Sequence, residues 1–256
     1  MKKTRIILVR HGQASAGTDD YDRLSPVGVE QSRRLGESWA DSGLRPDAVF
    51  AGPLLRHRQT EEAVAAVFEK RSLPWPAAEN LDALCEHQAM ELVSEVAPRL
   101  AEEDEEIAAW GREIEAAEAQ RTSGGDGKPR LDLYFRIFRE VTRRWVRDEL
   151  GDLAQPFESW PAFRRRVAEG VQGIARAHGG GAGTGDGRTL VAFTSGGPVA
   201  ASLGHALGLD DEKVLELSWI VHNTGCTDFL VIDGGIHLRA FNTLPHGLEG
   251  DLLTFV

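Results

Sequence analysis

A histidine flanked by an arginine and a glycine, Arg10-His11-Gly12, closes the short apolar run Ile6-Ile7-Leu8-Val9. Two later apolar runs lead to residues of related chemistry: 47–50 precedes Arg56, and 189–193 precedes Ser195-Gly196. Two arginines beside one histidine suit an anion, because guanidinium groups hold phosphate oxygens through paired hydrogen bonds. Pro198 at the start of an apolar stretch marks a helix whose amino end adds backbone donors and a positive dipole end at the same place. The implied ligand is a phosphoryl group, with Arg10, Gly12, Arg56, Ser195 and Gly196 as its candidate binders.

Neighbouring positive charge disfavours protonation of His11, and a neutral imidazole is a nucleophile. His11 is therefore expected to attack phosphorus and carry the phosphoryl group, with the arginines stabilising the equatorial oxygens. The leaving alkoxide then needs an acid. Glu86, after the break at Leu84-Cys85, is the carboxyl best placed by sequence context, and as a carboxylate it would activate water.

These residues need a scaffold that brings strand ends together. The first run does not alternate, which suits a strand buried on both faces of a parallel sheet, with function beyond the carboxyl ends of its strands. Ser25-Pro26 predicts a helix to about Asp41, closed by Gly43, and a second helix runs from about Leu55. Residues 13–23 read as a polar loop. Strand, arginine-bearing turn and helix thus occur twice before residue 70, which predicts an α/β three-layer fold with a mostly parallel sheet. Residues 87–187 change character and predict an α-helical cap inserted into a single domain spanning 1–256. Within it, 91–118 reads as largely helical, and Leu131, Tyr134, Phe135, Phe138, Val141 and Trp145 recur at helical spacing as an expected core stripe. A third helix is expected from about Ser159 to His178. The acidic run Glu102-Glu103-Asp104-Glu105-Glu106 reads as a solvated start of a helical turn. Residues 122–129 read as a flexible break and 179–187 as a mobile loop; no Lys-Ser or Lys-Thr follows the latter, so it is not a nucleotide P-loop. Asp233-Gly234-Gly235 predicts a hairpin between the last two strands.

Composition narrows the partners. A formal net charge of -11 argues against nucleic acid and anionic membranes, which select basic surfaces. Two cysteines, Cys85 and Cys226, make neither a disulfide framework nor a usual zinc site, and the histidines lack metal-ligand spacing. No metal, no cofactor and no membrane span are expected, a cytoplasmic location is, and oligomeric state is left open.

The motifs carry a resemblance. Leu8-Val9-Arg10-His11-Gly12 after an amino-terminal strand resembles the signature of the histidine phosphatase superfamily, the phosphoglycerate mutase-like fold. Leu24-Ser25-Pro26-Val27-Gly28-Val29-Glu30-Gln31 resembles its Leu-Thr-x-x-Gly-x-x-Gln helix start, residues Pro53 through Thr60 its arginine-bearing helix, and Asn223-Thr224 its late strand entry. Glu86 matches the family's proton donor by position. Three departures stand out. The family's second histidine is Ser195 here, in Thr-Ser-Gly-Gly, a segment that some branches of the family carry. An asparagine that often touches phosphate is Gly17, and a serine four residues before the arginine is Gly52.

The resemblance implies a phosphomonoesterase acting on a small phosphorylated metabolite through phospho-His11. Ser195 would partly replace the imidazole, since losing a charge-assisted donor costs roughly ten- to a hundred-fold in rate; a slow enzyme is expected. His57, His205 and His237 read as surface or packing residues, whereas His222 and His246 are candidates for a replacement donor. Ser195→His is expected to raise turnover unless another donor has taken the place. The alternatives are a phospho-ligand binding or regulatory protein, and phosphoryl transfer of the phosphoglycerate mutase type. The cap and residues 18–23 are expected to select the non-phosphate part of the substrate.

Overall fold

The computed structural model describes residues 3–15, 22–122, 130–178 and 187–255. Gly17, most of the 18–23 loop and the segments 123–129 and 179–186 lie outside the described residues. The chain divides into two compact units, one of residues 1–86 with 164–256, the other of residues 87–163.

The larger unit is built on one sheet of six strands: β1 (Arg5–Arg10), β2 (Ala48–Ala51), β3 (Ala78–Asn80), β4 (Thr189–Thr194), β5 (Cys226–Ile232) and β6 (Gly235–Thr243), in the order β3-β2-β4-β1-β5-β6. The first four pair in parallel, and β5 and β6 close the edge as an antiparallel hairpin. Asp233 and Gly234 both take positive φ, 51° and 81°, matching the two-residue turn that the strand twist favours. The expected α/β architecture with a mostly parallel sheet is the observed one.

The absence of alternation in β1 has the predicted cause: Ile6, Ile7, Leu8 and Val9 are all buried. Ile7, Val9, Val49, Ala51, Val191 and Phe193 share a core with Leu35 and Trp39 of α1 (Pro26–Asp41) and Val64 and Phe68 of α2 (Leu55–Lys70). The alternate residues point to the opposite face, where the Phe50 ring meets His178, 5.6 Å away, at the end of a long helix over 160–178. Ser25 caps α1 through its side chain, with Pro26 in the first turn, as the sequence predicts.

The smaller unit contains α3 (Ala89–Leu100), α4 (Glu105–Thr122), α5 (Leu131–Val146) and the first residues of α6 (Trp160–His178). The acidic run proves to be a helix start: Asp104 Oδ1 accepts from the Glu106 and Ile107 backbone N–H groups, and Arg144 holds the other carboxylate oxygen at 2.5 Å. That ion pair keeps the Asp104 carboxyl below its ordinary range.

The stretch 91–118 is largely helical as expected, in two helices parted at 101–104, where Asp104 turns its side chain to cap the second. Other expectations need correction. The stripe on α5 is only half core: Val141 and Trp145 are buried, but Leu131, Tyr134 and Phe135 are exposed, because the buried face runs through Leu133 and Ile137 instead. The sheet returns with α7 (Gly196–Leu207), which starts before Pro198. A strand and a helix went unpredicted: β3, whose three residues are all exposed, and α8 (Asp211–Ser218), capped by Asp210 accepting from Lys213 N at 2.8 Å. Among the described residues, no helix is long and apolar enough to cross a membrane.

Candidate active site

Register delivers the site. Arg10 pairs with Thr194, and His11 N donates to Thr194 O at 2.8 Å, so His11 and Ser195 leave the sheet side by side. On the other side of β4, Gly52 N donates to Phe193 O at 2.9 Å, which ends β2 at the same edge and sets α2 with Arg56 in its first turn. The turn after His11 packs backbone to backbone on α1: a Cβ on Gly12 would lie 2.4 Å from Gly28 O, and one on Gly28 would lie 2.1 Å from Gln13 O. Only glycines allow that approach. Gln31 then ties the turn down, accepting from Gln13 N at 2.8 Å and donating to Leu252 O at 2.8 Å.

His11 is 4% exposed. Its Nδ1 lies 2.7 Å from Gly12 O, a carbonyl that can only accept, so the hydrogen-bond network assigns the proton to Nδ1 and leaves a lone pair on Nε2. Arg56 Nε donates to that Nε2 at 3.2 Å. Burial first, then the charges of Arg56 and Arg10 and the neighbouring His57, push the His11 pKa well below its ordinary value against the opposing bond to Gly12. The imidazole is neutral and its free nitrogen is turned to the arginine.

Arg56 is itself held. Asp22 Oδ1 accepts from Arg56 Nη1 at 2.8 Å, while its Oδ2 accepts from Leu55 N at 2.8 Å and so supplies the cap that Leu54 cannot. Arg10 is anchored differently: its Nη1 donates to Val221 O and Phe255 O, and a Cβ on Gly196 would come within 3.8 Å of its Nε. Arg10 and Gly196 therefore lie together.

Glu86 reaches the same edge from a single 3-10 turn at Asp82–Leu84. Its Oε2 accepts from Gly197 N at 3.1 Å, in the first turn of α7. The segment is fixed from two sides: Thr194 Oγ1 donates to Leu84 O at 2.7 Å, and Arg166 Nη1 donates to Ala83 O at 2.9 Å and Cys85 O at 3.1 Å.

The structure brings to the site three residues for which no role there was expected: Asp22, Arg166 and His57. Asp22 was one acid among several in a polar loop, and Arg166 one charge on a helix; neither carries a distinguishing local signal. His57, expected at the surface or in packing, is fully buried, with its Nε2 2.6 Å from Ser195 Oγ and its ring centroid 5.8 Å from that of His11. The two other candidate donors are engaged elsewhere: His246 Nε2 lies 2.8 Å from Thr224 Oγ1, and the His222 ring lies against Phe255 at 4.3 Å. A signal for His57 did exist, in the joint presence of Gly52 and Ser195. Among the described residues, no group of three or more His, Cys, Asp or Glu side chains is arranged to hold a metal ion.

Comparison with solved structures gives the fold independently. A phosphoglycerate mutase from Bacillus anthracis superposes with a TM-score of 0.61 at 15% identity, over 96% of this chain and 95% of the other. A phosphoserine phosphatase from Entamoeba histolytica, solved as a mutant in complex with phosphoserine, gives 0.56 at 17% identity over 96% and 100%. A mycobacterial glucosyl-3-phosphoglycerate phosphatase gives 0.57 at 18% identity over 93% and 98%. A search of curated protein sequences finds no match. The model of the histidine phosphatase superfamily (branch 1) matches residues 6–137 and 133–244, nearly the whole chain. With His11 at the end of β1 and Arg56 against it, the chain belongs to the histidine phosphatase superfamily.

Proposed function

We propose that this protein is a phosphomonoesterase that hydrolyses a small phosphorylated metabolite through a phosphohistidine on His11. The observation that carries the reading is the disposition of the His11 ring, with Nδ1 held by Gly12 O and Nε2 turned to Arg56. A phosphoryl oxygen is a stronger acceptor for the arginine than a neutral imidazole nitrogen. An arriving phosphate takes the Arg56 N–H and frees the Nε2 lone pair beside phosphorus. Nε2 attacks, the P–O bond to the leaving group breaks, and Glu86 in its acid form gives the departing alkoxide its proton. Water then attacks the phosphoryl group, Glu86 takes a proton from that water, and the N–P bond breaks to release inorganic phosphate and neutral His11. Arg56 and the charge of Arg10 stabilise the equatorial oxygens, and Ser195 and the amino end of α7 at Gly196 complete the pocket.

The solved phosphatases at 17–18% identity support the reaction class through shared architecture only. Turnover of p-nitrophenyl phosphate by the wild type, abolished in His11→Ala, tests the reading. Phosphate binding without turnover would instead favour a phospho-ligand binding protein, and transfer to a phosphoglycerate acceptor faster than to water would favour a mutase.

A further inference from the structure

Ser195 occupies the N-cap position of α7, yet its hydroxyl makes no capping bond to the helix. Its Oγ lies 2.6 Å from His57 Nε2, and neither side chain has any exposure to solvent. A serine at an N-cap ordinarily satisfies the first free N–H groups of its helix. Here that bond is given up for a buried imidazole whose ring stands 5.8 Å from the nucleophile's.

The ring fits because of Gly52. A Cβ at that position would lie 2.4 Å from His57 Nδ1 and 2.9 Å from Leu84 O, so any side chain there would displace the imidazole. Gly52 and Ser195, two of the departures from the family pattern, are thus the two residues that touch one ring. A single arrangement explains both: an imidazole enters from α2 beside Arg56, a glycine leaves room for it, and a serine receives it.

We propose that His57 is a positioning residue of the phosphoryl site, its Nε2 fixing the Ser195 hydroxyl so that an oriented O–H meets a phosphoryl oxygen on His11. His57 Nδ1 meets no partner within hydrogen-bond geometry, so we assign the single ring proton to Nε2; Ser195, with one hydrogen and two lone pairs, then accepts from Nε2–H and keeps its own hydrogen for the phosphoryl oxygen. Chained in this way the two bonds reinforce each other in a buried setting. Burial first and then the Arg56 charge, against the opposing influence of the Gly52 backbone, hold the His57 pKa below its ordinary value, so the ring beside the arginine is neutral. On this account Ser195→His alone lowers turnover, because a second imidazole would compete for the space His57 fills.

The inference rests on His11 as the phosphoryl acceptor, so its test reads both phosphorylation and binding. The variants are His57→Ala, His57→Gln and His57→Ala with Ser195→His, each assayed for phospho-His11 formation from p-nitrophenyl phosphate and for the Kd of inorganic phosphate. His57→Ala should slow phosphorylation about ten- to a hundred-fold. His57→Gln, which keeps an N–H donor, should stay within about five-fold of wild type, and the double variant should recover at least about ten-fold over His57→Ala. Equal rates in all variants would overturn the proposal. So would loss in both single variants without recovery in the double one, the pattern of a purely structural histidine. If the wild type forms no phospho-His11, the phosphatase reading fails, and the pair is judged on phosphate affinity: about ten-fold weaker binding in His57→Ala, restored in His57→Gln, upholds it, and unchanged binding overturns it.

Discussion

Arg56 Nε stands 3.2 Å from His11 Nε2, so the cation proposed to bind the phosphoryl group also lies against the atom proposed to attack it. A point charge cannot reproduce this. The guanidinium presents several donors in a fixed plane, one toward His11 and another toward Asp22 Oδ1 at 2.8 Å. Arg56→Lys should therefore lower kcat/KM by about a hundred-fold or more, because an ammonium loses the fork that addresses His11, phosphate and Asp22 together. Steady-state kinetics with p-nitrophenyl phosphate check this, and wild-type kinetics in the lysine variant would show that charge alone suffices.

Asp22 couples that arginine to its helix. Removing the carboxylate in Asp22→Ala takes the cap from Leu55 N and the partner from Arg56 Nη1. Loss of a cap costs about 1 kcal/mol, and the half-exposed ion pair adds little. The expected result is a modest fall in Tm with a larger fall in kcat/KM, and a change in Tm alone would separate Asp22 from the site.

Glu86 should matter in proportion to how badly the leaving group needs a proton. Glu86→Gln is expected to slow hydrolysis of alkyl phosphates by about 10²- to 10⁴-fold, and to slow p-nitrophenyl phosphate far less, since its phenolate leaves unaided. Arg166→Ala, which loosens the Ala83 and Cys85 carbonyls, should show the same selectivity in weaker form. Equal losses on both substrates would assign Glu86 a role other than acid.

Stability should fall on mild acidification. His11 and His57 have folded pKa values well below the ordinary 6.5, and burial brings His246 down to about 4. The unfolded chain thus binds more protons as pH drops below 6.5, and the stabilisation present above that pH is lost on the way down. Each histidine contributes a slope of up to about 1.4 kcal/mol per pH unit. Glu61, whose buried carboxyl has a raised pKa, has the opposite sign: its contribution is present below 4.5 and lost as pH rises through its folded pKa. Burial lowers His222 as well, and one carboxyl against four histidines leaves a net decline. Urea unfolding at pH 7 and pH 5 measures it, and a flat profile would contradict the buried neutral histidines.

Much of this was legible in the residues. β1 was readable because both its faces are buried, α1 because Ser25-Pro26 is a start signal, and the nearness of His11, Arg56 and Ser195 because each follows an apolar strand; Glu86 was picked out only by the break at Leu84-Cys85 and by the family resemblance. What was not legible depends on register and distance. β3 has three exposed residues and no apolar pattern to betray it. The α5 stripe misled because Leu131, Tyr134 and Phe135 obey helical spacing while the buried side runs one residue over, through Leu133 and Ile137. His57 was masked by the neighbouring Arg56: adjacent residues on a helix point about 100° apart, so its inward turn shows in the sequence only through the room that Gly52 leaves and the hydroxyl that Ser195 offers. Asp22 and Arg166 act across 33 and more than 80 residues of sequence, a pairing that the fold creates.

Everything proposed for the site depends on His11 Nε2 carrying the phosphoryl group. Rapid quenching of wild-type protein with a ³²P-labelled phosphomonoester, under base-stable conditions, followed by peptide mapping, tests it most directly. An acid-labile label on His11, absent from His11→Ala and released as inorganic phosphate at a rate compatible with turnover, is the expected result. Turnover with no label on His11, or with label on another residue, would contradict it.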